Sequence, residues 1–96
     1  MRYLKVQWLQ DDPEYPTFLY SELDDDSFEV RKVDMFADGS ADPADEHHET
    51  CRTFLGEGAV PPIEEIASDP EFLPEWIPRE EFETVWQAAH RVPNLA

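Results

Sequence analysis

The chain opens on an alternation of polar and apolar side chains. Within residues 3–9, Leu4, Val6 and Trp8 share one parity and Lys5 and Gln7 the other, the period-two pattern of a half-buried strand. Asp11-Asp12-Pro13-Glu14 ends it, because Pro13 has no N–H to give to a ladder. Residues 17–23, from Thr17 to Leu23, are rich in strand formers. Asp24-Asp25-Asp26-Ser27 then carries turn chemistry, and a third strand is predicted from Phe28 to Phe36. The pair reads as a hairpin with an exposed acidic tip. Parity changes inside the third strand, with Phe28 and Val30 on one face and Val33 and Met35 on the other. A bulge near Arg31-Lys32 would return them to a single face; otherwise both faces of this strand are partly covered. Asp38-Gly39 signals a tight turn. Further strands are expected within residues 44–49 and 51–55, after which Gly56 and Gly58 loosen the chain.

A helical period takes over downstream. Pro61-Pro62-Ile63-Glu64-Glu65-Ile66-Ala67 predicts a short helix opened by proline, with glutamates near its positive end. Asp69-Pro70 ends it, since a residue before proline avoids helical angles, and Asp69 can cap a single turn over residues 70–72. Between Pro78 and His90, Phe82, Val85, Trp86 and Ala89 recur at i, i+3, i+4 and i+7 and form one apolar stripe. Pro93 forbids continuation. Strands first and helices last predict an α+β fold: an antiparallel four- to five-stranded sheet with two C-terminal helices packed on one face. The expected single domain spans residues 1–96, with a sheet part over 1–58 and a helical part over 59–92. Its core is expected from Leu4, Val6, Trp8, Leu19, Val30, Val33, Ile63, Ile66, Phe82, Val85 and Trp86.

Composition changes the picture in one respect. Twenty-three acidic residues face seven basic ones, for a formal charge of −16. Three Trp, three Tyr and six Phe among 96 residues exclude a disordered acidic tail. The negative field repels nucleic acid and anionic membranes, so neither is an expected partner, and it speeds encounter with basic proteins. Solubility, or life in a salty cell, is the simpler use of the same charge. The single cysteine, Cys51, excludes an intrachain disulfide and lacks a basic helper, so it reads as inert. With no signal-peptide pattern and no long apolar run, the expected location is the cytoplasm.

Candidate chemistry is sparse. Adjacent histidines in Glu46-His47-His48-Glu49 point to opposite faces of a strand, so no metal site is expected there. Asp24-Asp25-Asp26 lacks the ligand spacing of a calcium loop. No nucleophile has a base beside it and no glycine-rich phosphate loop occurs, so neither an enzyme nor a cofactor is expected; a carboxylate enzyme would instead show a deep pocket with raised carboxylate pKa values. Glu22, Asp24, Arg31 and Lys32 gather around the hairpin, either as cross-strand ion pairs worth roughly 0.2–1 kcal/mol each or as a recognition patch with Tyr20. Dispersed carboxylates at Asp11, Asp12, Asp24, Asp25, Asp26, Asp42, Asp45, Glu46 and Glu49 could mimic phosphates in a basic cleft.

With these elements placed, the chain resembles a small bacterial domain family of unknown function. The matching stretches are Arg2-Tyr3-Leu4-Lys5-Val6-Gln7-Trp8, Leu19-Tyr20-Ser21-Glu22-Leu23-Asp24, Glu29-Val30-Arg31-Lys32-Val33, Leu55-Gly56-Glu57, Pro61-Pro62-Ile63-Glu64-Glu65-Ile66 and Glu80-Glu81-Phe82-Glu83-Thr84-Val85-Trp86. The resemblance implies one domain and carries no catalytic residues; Pro78 stands where that pattern often has a serine cap. In size and acidity the chain is also similar to immunity proteins of toxin systems. The leading expectation is therefore an acidic inhibitor or immunity-type protein that occludes the active site of a basic toxin or effector, binding through Asp11, Asp12, Tyr20, Glu22, Asp24, Asp25, Asp26, Arg31 and Trp76. The alternative is a regulatory or scaffold module that takes a peptide or small ligand on aromatic residues such as Tyr20 and Trp76.

Overall fold

Alternation in the first half of the chain and an edge strand from the second half build one sheet. The computed structural model describes residues 1–50 and 53–91. Its elements are β1 (Arg2–Trp8), β2 (Phe18–Leu23), β3 (Glu29–Met35), β4 (Ala41–Asp45), α1 (Ile63–Ala67), β5 (Phe72–Ile77) and α2 (Arg79–Arg91). The sheet is antiparallel throughout, in the order β4-β3-β2-β1-β5. The α+β class and the antiparallel sheet with two helices are those expected.

The hairpin and its bulge also form, one residue earlier than expected. Glu22 pairs with Arg31 and Leu23 with Glu29, so Val30 is the extra residue. The bulge lets Val33 and Met35 join Tyr20 and Phe18 on one face. The next turn closes where Gly39 donates to the Phe36 carbonyl at 2.9 Å, with Gly39 at φ +91°, a conformation that favours glycine.

Three strand expectations are corrected. β4 begins at Ala41, earlier than residues 44–49, because the tight turn at Gly39 leads straight back along β3. The strand expected within 51–55 does not form over 53–55, and Cys51 and Arg52 lie outside the described residues, as does Pro93. The fifth strand is instead β5, inside the stretch expected to be helical. The Asp69 turn does form, with Glu71 N–H donating to Asp69 Oδ1 at 2.9 Å, but it launches a strand. Pro74 hides that strand from sequence reasoning. In the register it faces Val6, a position where its missing N–H points away from β1, toward the open edge. Pro43 in β4, opposite Val33, occupies the equivalent place on the other edge. Prolines at both edges discourage further strand pairing.

The two helices take opposite faces, not one. β5 separates them in sequence and runs along the sheet edge, so the chain enters from one face and leaves to the other. On the α2 face, Tyr3, Tyr20, Val33 and Ile77 pack with Phe82 and Ala89. On the α1 face, Leu4, Val6 and Leu23 pack with Leu19, Val60, Ile63, Ile66 and Phe72. Strand β1 supplies buried residues to both clusters, Tyr3 to one and Leu4 and Val6 to the other, which makes a two-sided sheet necessary. Phe82, with no exposed surface, contributes about 1.5–3 kcal/mol by burial alone.

Candidate functional site

The expected binding residues do not form one surface. Asp11 and Asp12 are exposed in the β1–β2 connection, while Asp25 and Asp26 are exposed at the β2–β3 tip. The length of β2 separates these ends by about 20 Å. Asp24 builds the tip: its Oδ1 accepts from the N–H groups of Asp26 at 2.9 Å and Phe28 at 3.0 Å. Trp76 lies at that same end, 45% exposed, with the Arg2 guanidinium 5.0 Å over its ring. Tyr20 faces inward and is 7% exposed, so it is a core residue and not part of a recognition patch. Its place opposite Val33 on the α2 face buries it.

Glu22 and Arg31 also turn inward, and what they do there is mechanical. Arg31 donates through Nε to Glu22 Oε1 at 2.6 Å and through Nη2 to Oε2 at 3.1 Å. It also grips Glu83 of α2, with Nη2 to Oε2 at 2.6 Å and Nη1 to Oε1 at 3.2 Å. Tyr3 Oη donates to Glu22 Oε2 at 2.9 Å. The guanidinium plane lies 5.0 Å from the Phe82 ring centroid and 4.9 Å from that of Trp86. One arginine therefore bolts the final helix to the sheet by two bidentate pairs and two ring faces. Hydrogen bonding from Arg31 holds the Glu22 and Glu83 carboxyls below the usual carboxylate range and raises the Arg31 pKa further.

The other described cations are engaged as well. Lys5 lies 3.7 Å from Glu75 and over the Phe18 and Tyr20 rings. Lys32 sits 3.9 Å from Glu29 and 3.7 Å from Asp34. Arg79 reaches Glu83 at 3.7 Å, and Arg2 donates to Ser27 Oγ. Positive charge is thus held against carboxylates and aromatic rings, while Asp11, Asp12, Glu14, Asp25, Asp26, Glu46, Glu49, Glu57, Glu64, Glu65, Glu71, Glu75 and Glu80 are exposed.

A groove lies on the α1 face. The segment after Thr53 crosses this face beside β3 and is pinned three times. Thr53 Oγ1 donates to Asp34 Oδ2 at 3.1 Å, Gly56 N–H to Glu29 Oε1 at 2.7 Å, and Val60 N–H to the Ser27 carbonyl at 2.8 Å. On the other side, Gln10 shapes the β1–β2 connection, donating to the carbonyls of Tyr15 and Pro16, each at 3.1 Å. Between segment and loop lies a groove of about 690 Å³, with Trp8, Tyr15 and Phe54 among its walls and Leu19, Lys32 and Asp34 on its floor. Trp8 and Tyr15 meet at 5.5 Å between ring centroids, while Tyr15 and Phe54 are 52% and 57% exposed. A second hollow of about 350 Å³ continues under α1, and Leu19 lines both.

Asp34 is the unusual group in that floor. It is 4% exposed, and its Oδ1 has no hydrogen-bond partner. Burial pushes its pKa up, opposed chiefly by the Lys32 charge. Sequence reasoning missed this groove. Tyr15, set between Pro13 and Pro16 in an acidic loop, carried a signal for an aromatic held out of the core. Nothing local marked Phe54 or Asp34, which meet only through the crossing segment.

The family model described as a domain of unknown function, DUF6881, matches residues 2–91. The chain belongs to that family, whose match takes in every strand and both helices. No curated protein and no solved structure matches it. No helix among the described residues is long and apolar enough to cross a membrane.

Proposed function

We propose that this protein is an acidic protein-binding domain of the inhibitor type, which neutralises a basic bacterial toxin or effector in the cytoplasm by covering its active site. Charge segregation carries this reading. The five basic side chains described, Arg2, Lys5, Arg31, Lys32 and Arg79, are each held against a carboxylate, an aromatic ring or a neighbouring hydroxyl. The sequence carries −16, and the field that reaches water is correspondingly one-sided. A surface of that kind steers a positively charged partner and rejects phosphates and anionic lipid.

The test is affinity capture from the native cell at low salt, followed by elution with rising salt and identification of what elutes. A basic partner released by salt, with its activity blocked by the added domain, is the expected result. An acidic or neutral partner, or one that stays bound in high salt, would contradict the reading. So would a reaction catalysed by the isolated domain. The half-exposed Trp76 ring supports a second reading, a module that holds a peptide at the β5 edge. Under it, Trp76→Ala abolishes binding and leaves stability unchanged.

A further inference from the structure

We propose that the groove between the β1–β2 connection and the segment at Phe54 receives an arginine side chain of the basic partner; the inference rests on the protein-binding reading above. Three independent features favour a guanidinium. The first is the wall. Trp8, Tyr15 and Phe54 line the groove, and Tyr15 and Phe54 keep half or more of their surface in water. Exposed aromatic faces attract a planar cation, and a guanidinium, being weakly hydrated, stacks on them at a lower desolvation cost than an ammonium.

The second feature is the floor. There Asp34 shares the ammonium of Lys32, at 3.7 Å, with Glu29, at 3.9 Å, which lines the neighbouring hollow under α1 and not this groove. Glu29 is otherwise satisfied by Ser21 Oγ at 2.9 Å and Gly56 N–H at 2.7 Å. Asp34 is satisfied at Oδ2 by Thr53 Oγ1 at 3.1 Å, but its Oδ1 is buried without a hydrogen-bond partner. The Lys32 charge is therefore divided between two carboxylates, and the unbonded Asp34 oxygen lies in a poorly solvated place, where a positive charge entering above it gains more than it would at an open surface. The third feature is the rim, where Glu14 lines the groove and is exposed. The loop that presents it is fixed in advance. Gln10 Oε1 accepts from Asp12 N–H at 2.5 Å, and Asp12 Oδ1 accepts from Glu14 N–H at 2.9 Å. A preformed site spares the guest part of the ordering cost of binding.

A lone acidic ligand is disfavoured by the same inventory. The only described cation in the groove, Lys32, is 13% exposed in its side chain and already flanked by Glu29 and Asp34.

The experiment is an NMR titration of the whole 96-residue chain with three blocked amino-acid amides: N-acetyl-arginine, N-acetyl-lysine and N-acetyl-citrulline methylamide. Citrulline keeps the shape of arginine and removes the charge. Shifts centred on the Trp8 indole, Tyr15 and Phe54 are expected, strongest for arginine, weaker for lysine and weakest for citrulline. Tyr15→Ala and Phe54→Ala should each weaken the arginine response about two- to fivefold, the range of an exposed cation–π contact. Both side chains are largely exposed, so the fold should survive; unfolding curves on the same samples check this. Equal responses to citrulline and arginine, no response, or shifts confined to Asp24–Asp26 and the α2 glutamates would overturn the assignment. That last pattern would leave the basic-partner reading standing, whereas a captured native partner that is acidic would remove that reading whatever the groove does.

Discussion

Aspartate serves two ends in this chain, and they separate residue by residue. Asp12, Asp24, Asp38, Asp45 and Asp69 each accept a main-chain N–H two positions ahead through Oδ1. These are Asx turns, so part of the acidity that looks like a binding surface in the sequence is turn chemistry. Asp34 belongs to neither group. Its pKa is raised by burial, so its contribution to stability is largest below the usual carboxylate pKa and is lost as pH rises through its folded value. Asp34→Asn should therefore gain stability relative to the parent at pH 7. The gain should close below about pH 4, where the parent carboxyl is protonated in both states. Urea unfolding at the two pH values measures it; a gain at acid pH alone would contradict the account. Glu22 and Glu83 have the opposite sign. Held low by Arg31, they add stability above the ordinary glutamate pKa and lose it as pH falls through their folded values. Arg31→Met leaves Glu22, with an 8% exposed side chain, without its cationic partner and with only the Tyr3 hydroxyl against it. It should cost about 3 kcal/mol at neutral pH, less at acid pH where Glu22 can protonate, as seen in the same unfolding series.

Elements were legible wherever the local period decided them. The stripe of Phe82, Val85, Trp86 and Ala89 gives α2, and alternation gives β1. The acidic tip and the parity change between Val30 and Val33 give the hairpin and, to within one residue, its bulge. What escaped was decided by distance along the chain. β5 was masked by Pro74, which is tolerated because, opposite Val6, its missing N–H faces the open edge and not β1. The split of α1 and α2 between two faces follows from β5 lying between them, and so was lost with it. The inward turn of Tyr20 and the grip of Arg31 on Glu83, 52 positions on, were beyond any local pattern. So was the groove, since Tyr15 and Phe54 belong to segments far apart in sequence. α2 also carries an expected core residue that only packs against the core from its edge. Trp86 is only partly buried, stacking on Phe82 at 6.3 Å and covering the Arg31 guanidinium. Trp86→Ala should cost about 2 kcal/mol, below the roughly 3–5 kcal/mol of a fully buried aromatic. Thermal unfolding with Phe82→Ala alongside checks the order, and a larger loss at Trp86 would contradict it.

At the scale of the whole molecule, a −16 charge sits on a sheet covered on both faces and closed by proline at both edges. Such a scaffold is poorly suited to strand addition and well suited to presenting side chains and loops. The two clusters of expected binding aspartates lie at opposite ends of β2, so on the proposed reading they act on a partner through the summed field more than through one patch. A field of that kind acts on the rate of encounter. The decisive measurement is the association rate constant of the native complex by stopped flow from about 0.1 to about 1 M salt, across which the screening length falls from about 10 to about 3 Å. The association rate should fall steeply with salt while dissociation changes little. An association rate that is flat, or that rises, would mean that the partner does not meet this protein through opposite charge.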